Sequence, residues 1–211
     1  MRNAADFESI HIDDFIIVVN KPSGLLAVPG RGEAGRDNLA SRVQARFADA
    51  LVVHRLDQHT SGLMVLARGL DMQRGLNKAF AERQVHKRYE AVVEGQVEGD
   101  SGQIDAPLMA DWPRRPLQMV NTAGGKPSLT EWRLLSRTEP DSGCRLSLQP
   151  VTGRSHQLRV HLQHIGHPIR GDDLYAPQPL RSDRLLLHAC ELRFAHPDSG
   201  AQMSFSNPAP F

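Results

Sequence analysis

The stretch LVVHRLDQHTSGLMVLA, Leu51 to Ala67, decides how this chain is read. Leu51-Val52-Val53 and Leu63-Met64-Val65-Leu66-Ala67 are short apolar runs, and both read as buried strands. The nine residues between them, His54 to Gly62, are mostly polar, so Asp57 falls on a turn held between two core strands. Such a turn displays a reactive group with little positional freedom. Thr60, Ser61 and Gly62 suit it, because short hydroxyls bond nearby backbone and glycine tolerates angles that other residues resist. An Asp capping an ordinary turn satisfies the same pattern, and residue chemistry alone leaves both readings open.

Outward from this turn, strands predominate. Ile16 to Asn20, Tyr89 to Glu94, Leu129 to Leu135, Arg145 to Leu148 and Leu185 to Phe194 are short and apolar or alternating, with Gly or Pro near many of their ends. Three helices are expected. Asp37 is the N-cap of the first, followed by Leu39, Val43 and Phe47. The second covers about residues 70 to 84, with Leu70, Leu76, Ala79 and Phe80 toward the core and Arg74 and Lys78 outside. Ser155 caps the third, in which Leu158, Leu162 and Ile165 keep helical spacing before Gly166 and Pro168 end it. The pattern predicts an α+β fold: a mixed, largely antiparallel sheet with flanking helices. With no internal repeat and no linker, residues 1–211 are expected to form a single domain.

A chain of 211 residues with 40% hydrophobic content has enough apolar material for a substantial core. No apolar run approaches the roughly 20 residues of a membrane span, and the N-terminus lacks a basic region followed by a long apolar one. A cytoplasmic protein is expected. Cys144 and Cys190 form no CxxC pair and read as small core residues. The formal charge of +1 does not decide for or against nucleic acid, because binding depends on where charge is placed. Residues 74 to 88 hold Arg74, Lys78, Arg83, Lys87 and Arg88 against Glu82 alone, either a phosphate-binding stretch or a solvated helix face. His156, His161, His164 and His167 follow spacings of five, three and three, which cannot aim all four at one point. Hydrogen-bonded roles are expected of them, and no metal.

Seven blocks follow one another along the chain: NKPSGLLAVPGR (Asn20 to Arg31), HRLDQHTSG, KRYEAVVEG (Lys87 to Gly95), DWPRRP (Asp111 to Pro116), GKPSLTEW (Gly125 to Trp132), PVTGRSHQLRVHL (Pro150 to Leu162) and GHPIRGDDLYA (Gly166 to Ala176). In content and order they resemble the RluA-type pseudouridine synthases. The resemblance implies the pseudouridine synthase fold with a central catalytic cleft, here without the added S4 RNA-binding module of several relatives. The implied reaction breaks the bond from ribose to N1 of uracil, turns the retained base, and joins the sugar to C5. No atoms enter or leave, so it needs neither metal nor redox cofactor.

Carried onto this chain, the resemblance makes Asp57 the catalytic residue, acting as nucleophile or base. Arg154 is its expected ion-pair partner, since an adjacent guanidinium favours a charged carboxylate and fixes its direction. Tyr89 is the active-site aromatic, its ring against the target base and its hydroxyl assisting loss of the C5 proton. Arg55, two residues before Asp57, occupies the space left by a flipped uridine. Lys21, Arg114 and Arg115 are the expected substrate-facing basic residues. DWPRRP resembles the dual-specificity subtype, which implies two stem-loop substrates, the uridine opening the anticodon loop of some tRNAs and one in a 23S rRNA hairpin. The expected partners are these RNAs, the expected state a monomer, with no membrane association.

Three alternatives stand beside this reading. One is a synthase of the same family for a different uridine, and another is a non-catalytic RNA-binding module with this fold. The third is a hydrolase releasing uracil, which would want a second carboxylate near Asp57. Asp172 and Asp173 are distant in sequence and could merely cap a turn.

Overall fold

The computed structural model describes residues 7–138, 143–178 and 182–211. In chain order the elements are β1 (Glu8–Ile12), β2 (Ile16–Lys21), α1 (Leu39–Gln44), β3 (Ala50–Val52), β4 (Ser61–Arg68), α2 (Leu70–Ala81), β5 (His86–Val93), β6 (Ser101–Asp105), β7 (Leu108–Ala110), β8 (Gln118–Val120), β9 (Leu129–Thr138), β10 (Gly143–Pro150), α3 (Gln157–His164), β11 (Leu187–Ala195) and β12 (Gln202–Ser206). Long ladders such as β2 with β4 and β10 with β9 are antiparallel, and helices are few, so the α+β class holds. No described helix is long and apolar enough to cross a membrane.

The chain forms two compact units. One comprises the residues up to Lys87 together with Ala189–Pro210; the other comprises Arg88–His188 with Phe211. In the first, the strand order is β1-β2-β4-β11, with β3 also on β4 and β12 on β11. Ser61 through Ala67 of β4 are all buried, which is why that segment reads as a continuous apolar run rather than an alternating one. Its core joins Ile16, Val18, Leu63, Val65 and Ala67 to Leu76 of α2 and to Leu192, Phe194 and Phe205.

Two expectations about helices change here. The N-cap of α1 is Asn38, whose side chain accepts from the Ser41 amide at 2.9 Å, whereas Asp37 pairs with Arg42 at 2.7 Å. An amide can both accept at the cap and donate backward, and Asn38 does so to the Arg36 carbonyl, a bond a carboxylate cannot make. Leu70 is 62% exposed, because it begins α2 directly after Gly69, before the helix has closed onto the core.

In the second unit the order is β5-β10-β9-β6, with β7 and β8 forming a separate two-stranded ribbon. Ala91, Val93, Ile104, Cys144, Leu146 and Leu148 pack with Leu158 and Leu162 of α3. Cys144 and Cys190 are both buried, as expected of small core residues.

Candidate active site

Strands β3 and β4 pair antiparallel, Ala50 opposite Arg68 and Val52 opposite Leu66, so residues 53–60 are the loop that the sequence places between them. Leu56 is buried and anchors the loop, while Arg55 before it is exposed and Asp57 after it half-buried. Among the described residues Arg55 makes no ion pair. The Thr60 amide donates to the Asp57 carbonyl at 3.2 Å, closing a turn directly behind the carboxylate. Gly62 then enters β4 with φ 114, and a Cβ there would lie 2.3 Å from the Ala189 carbonyl oxygen. Only glycine meets both demands.

Lys21, expected to face substrate, does not. It is fully buried at the end of β2, and its Nζ donates to the carbonyls of Pro22 at 2.8 Å, Leu25 at 2.7 Å and Gln58 at 2.8 Å. A desolvated ammonium persists only when acceptors surround it, so these carbonyls hold the cation inside. The loop after β2 is joined to the Asp57 loop by further bonds. Ser23 Oγ donates to the His59 carbonyl at 2.7 Å, and the Gly24 amide to that of Gln58 at 2.9 Å. The NKPSG block therefore braces the Asp57 turn.

His54 is structural, as its alternation with Arg55 suggests. Its Nε2 accepts from the Val65 amide at 3.0 Å and its ring stacks on Phe80 with centroids 4.6 Å apart. Burial, and secondarily the charge of Lys87, pushes its pKa down to about 3. Both facts require a neutral ring, since a protonated Nε2 could not accept. Burial also lowers the pKa of Lys87, so the basic stretch is not one surface. Arg74 and Lys78 stand on the solvated face of α2, paired with Asp71 and Glu82.

In the second unit, Tyr89 lies on β5 opposite Leu148 of β10, half-buried against the core. From there β10 runs to Pro150 and the Thr152–Arg154 segment. Arg154 is exposed, its Nε and Nη2 3.4 and 3.3 Å from the Pro127 carbonyl. Gln157, 4% exposed, holds this segment. Its Oε1 accepts from the Thr152 hydroxyl at 2.7 Å and the Arg154 amide at 3.0 Å, while its Nε2 donates to the Leu129 carbonyl and Thr130 hydroxyl, each at 3.0 Å. Ser155 does not cap α3. The cap position is His156, in a left-handed conformation with φ 54 and ψ 17 and no side-chain bond into the helix.

The other histidines have separate bonds. His161 is buried between Thr130 Oγ1 and the Ala106 carbonyl, both at 2.9 Å, and burial lowers its pKa. His167 reaches the Glu94 carbonyl at 2.9 Å.

The loop between β7 and β8 carries the remaining two residues. Arg114 Nε donates to Asp111 at 2.7 Å, and the Arg115 guanidinium lies 3.2 Å from the centroid of the Trp112 ring, which is 65% exposed. An exposed indole with a guanidinium on its face and a second cation beside it offers stacking and positive charge together. Thus the first unit brings together Asp57, Arg55 and the brace from Lys21, and the second carries Tyr89, Arg154, Arg114 and Arg115. Sequence reasoning missed Gln157, whose spacing from Arg154 was the available signal, and Tyr175, whose hydroxyl bonds to His156 and Gln118.

A family model described as RNA pseudouridylate synthase matches residues 15–164. A dual-specificity RNA pseudouridine synthase RluA of Vibrio parahaemolyticus is 50% identical over 204 residues, covering 94% of this chain and 82% of that one. The protein of that name from Escherichia coli is 47% identical over 204 residues, covering 96% and 93%. Among solved structures, human RNA pseudouridylate synthase domain containing 1 superposes with a TM-score of 0.84 at 27% identity, over 100% of this chain and 86% of its own. Human RNA pseudouridylate synthase domain containing 4 gives 0.76 at 27%, over 96% and 88%.

Proposed function

Since the chain belongs to the RNA pseudouridylate synthase family, we propose that its activity, the isomerisation of uridine in RNA to pseudouridine, is carried by Asp57 with Tyr89 and Arg154. The enzyme is an intramolecular transferase. The glycosidic bond to N1 breaks, the uracil turns, C5 bonds to the ribose, C5 loses its proton and N1 gains one.

The observation that carries the assignment is the setting of Asp57. It is a half-exposed carboxylate beside an exposed arginine, on a loop braced by the buried Lys21 and the Gly24 amide at the Gln58 carbonyl and by Ser23 at the His59 carbonyl. In the proposed division of work, Asp57 is nucleophile or base and Arg154 keeps it ionised and oriented. Tyr89 lies against the base and assists loss of the C5 proton. Arg55 fills the stack where the everted uridine was, offsetting part of an extrusion that costs a few kcal/mol. Arg114 and Arg115 meet phosphate and base, and Lys21 acts by positioning.

We extend to this chain the dual specificity in the relatives' name, and propose that its two substrates are stem-loops of tRNA and of 23S rRNA, taken up by a monomer in the cytoplasm. A tRNA anticodon-arm transcript and a 23S hairpin, each carrying uridine tritiated at C5, provide the test. Wild type should release tritium from both and leave pseudouridine at one position, and Asp57→Asn should release none while binding either RNA within about threefold. Turnover by Asp57→Asn would sink the assignment, and free uracil as product would mark the hydrolase alternative instead.

A further inference from the structure

We propose that Tyr175 is a positioning residue whose hydroxyl fixes the Arg154 segment and the Trp112–Arg115 loop relative to each other, an inference that rests on the roles proposed above. Its oxygen lies 2.8 Å from His156 Nδ1 and 2.9 Å from the Gln118 amide nitrogen. A phenol has one hydrogen and two lone pairs. The Gln118 N–H donates to the oxygen, and the ring's tautomer sets which way the bond with His156 Nδ1 runs.

Both partners sit at structural joints. His156 follows Arg154 by two residues and has the left-handed backbone that ends the segment before α3, a conformation a non-glycine residue keeps only when its surroundings hold it. Gln118 follows the residue that closes the arginine loop, in which the Asp111 amide donates to the Leu117 carbonyl and the Leu117 amide to that of Arg114, both at 3.0 Å. One oxygen thus ties the end of the first segment to the base of the second.

Tyr175 is itself immobilised by the GHPIRGDDLYA block. Arg159 and Asp172, with side chains 2% and 0% exposed, form a two-pronged pair at 2.8 and 2.7 Å. Asp172 Oδ1 also accepts from the amides of Leu174 and Tyr175 at 3.0 and 3.1 Å, and the Arg159 guanidinium lies 5.2 Å from the Tyr175 ring centroid. A buried, paired charge network of this kind specifies one arrangement of its neighbours. The tyrosine hydroxyl is the point where that arrangement reaches the two loops.

Tyr175→Phe keeps the ring over Arg159 and removes only the oxygen. On a tRNA anticodon-arm transcript, kcat should fall about tenfold or more, as expected when a catalytic group is displaced by a fraction of an ångström, with a far smaller change in Tm. In a Trp132→Phe background Trp112 is the sole tryptophan, and its quenching by acrylamide should rise in Tyr175→Phe. His156→Ala combined with Tyr175→Phe should be no worse in kcat than the more severe single variant, because both cut one connection. Wild-type kcat in Tyr175→Phe, unaltered Trp112 quenching, or additive losses in the double variant would each overturn the inference. Should wild type itself form no pseudouridine, the assignment of the reaction fails instead, and Trp112 quenching still decides whether Tyr175 sets the loop.

Discussion

Lys21 donates through Nζ to the carbonyl of Gln58 at 2.8 Å, which puts a fully buried cation directly behind the residue that follows Asp57. The lysine is thereby a strut. It converts the end of β2, one of the best-packed strands of its unit, into a fixed support for the turn that displays the carboxylate.

Lys21→Met tests the strut. The aliphatic stem is kept, but three carbonyls lose the ammonium, that of Gln58 keeping the Gly24 amide, and an acceptor left unsatisfied away from water costs about 1–3 kcal/mol. Urea unfolding should show a loss of roughly 3 kcal/mol or more. At a temperature where the variant is still folded, kcat should drop with little change in RNA affinity. A fall in affinity with kcat intact would return Lys21 to the substrate-facing role that its sequence suggested.

His54 gives the fold an acid sensitivity. Its folded pKa of about 3 lies below the ordinary value of 6.5, so the unfolded chain takes up the proton first as pH falls. The stability that depends on a neutral His54 is whole above about pH 6.5 and is lost progressively below it, at up to about 1.4 kcal/mol per pH unit. His54→Asn retains an acceptor for the Val65 amide and cannot charge. Its Tm should therefore change less steeply than that of wild type between pH 6.5 and 4.5, and equal slopes would show that other groups govern this range.

The parts of the molecule legible in the sequence are those where one side chain's polarity decides its place. The apolar runs flanking His54 to Gly62, the core face of α2 from Leu76 onward and the termination of α3 at Gly166 all follow from local pattern. What escaped depends on partners distant in the chain. Lys21 looks like a surface cation until Gln58 comes beside it, and the polar edge strand Ser101–Asp105 becomes a strand only by pairing with β9. Asp172, read as a turn cap, is that and also half of a buried pair whose other member lies thirteen residues upstream. Tyr175 has no periodic signal at all; its role lies in two bonds to segments 19 and 57 residues away.

Gly62→Ala should be among the most damaging single changes in the Asp57 region. A methyl at this position would stand 2.3 Å from the Ala189 carbonyl oxygen, and the backbone φ of 114 is one that L-residues avoid. Neither β4 nor β11 can retreat without breaking the ladder between them. Little soluble protein is expected at 37 °C, and what is recovered should lose Tm by 10 °C or more, roughly the shift that several kcal/mol produces in a chain of this size. A variant with wild-type Tm would mean that β11 is free to move aside.

The loop of Trp112 and Arg115 separates two contributions to RNA binding. Arg115 lies over the indole, so truncating either residue disturbs the pair, yet the consequences differ in kind. Trp112→Ala removes the stacking face, worth about 1–3 kcal/mol per base, and should raise Kd about five- to a hundredfold at every salt concentration, leaving the salt dependence unchanged. Arg115→Ala removes a charge. If that charge meets a phosphate, the slope of log Kd against log salt should shrink by about 0.7–0.9, so the variant approaches wild type as salt rises. Fluorescence anisotropy with a labelled anticodon stem-loop across a salt series distinguishes the two. Parallel lines for Arg115→Ala and wild type would mean that the guanidinium acts through the indole, holding it for a base, and that the phosphate contact falls to Arg114, which Asp111 keeps in place.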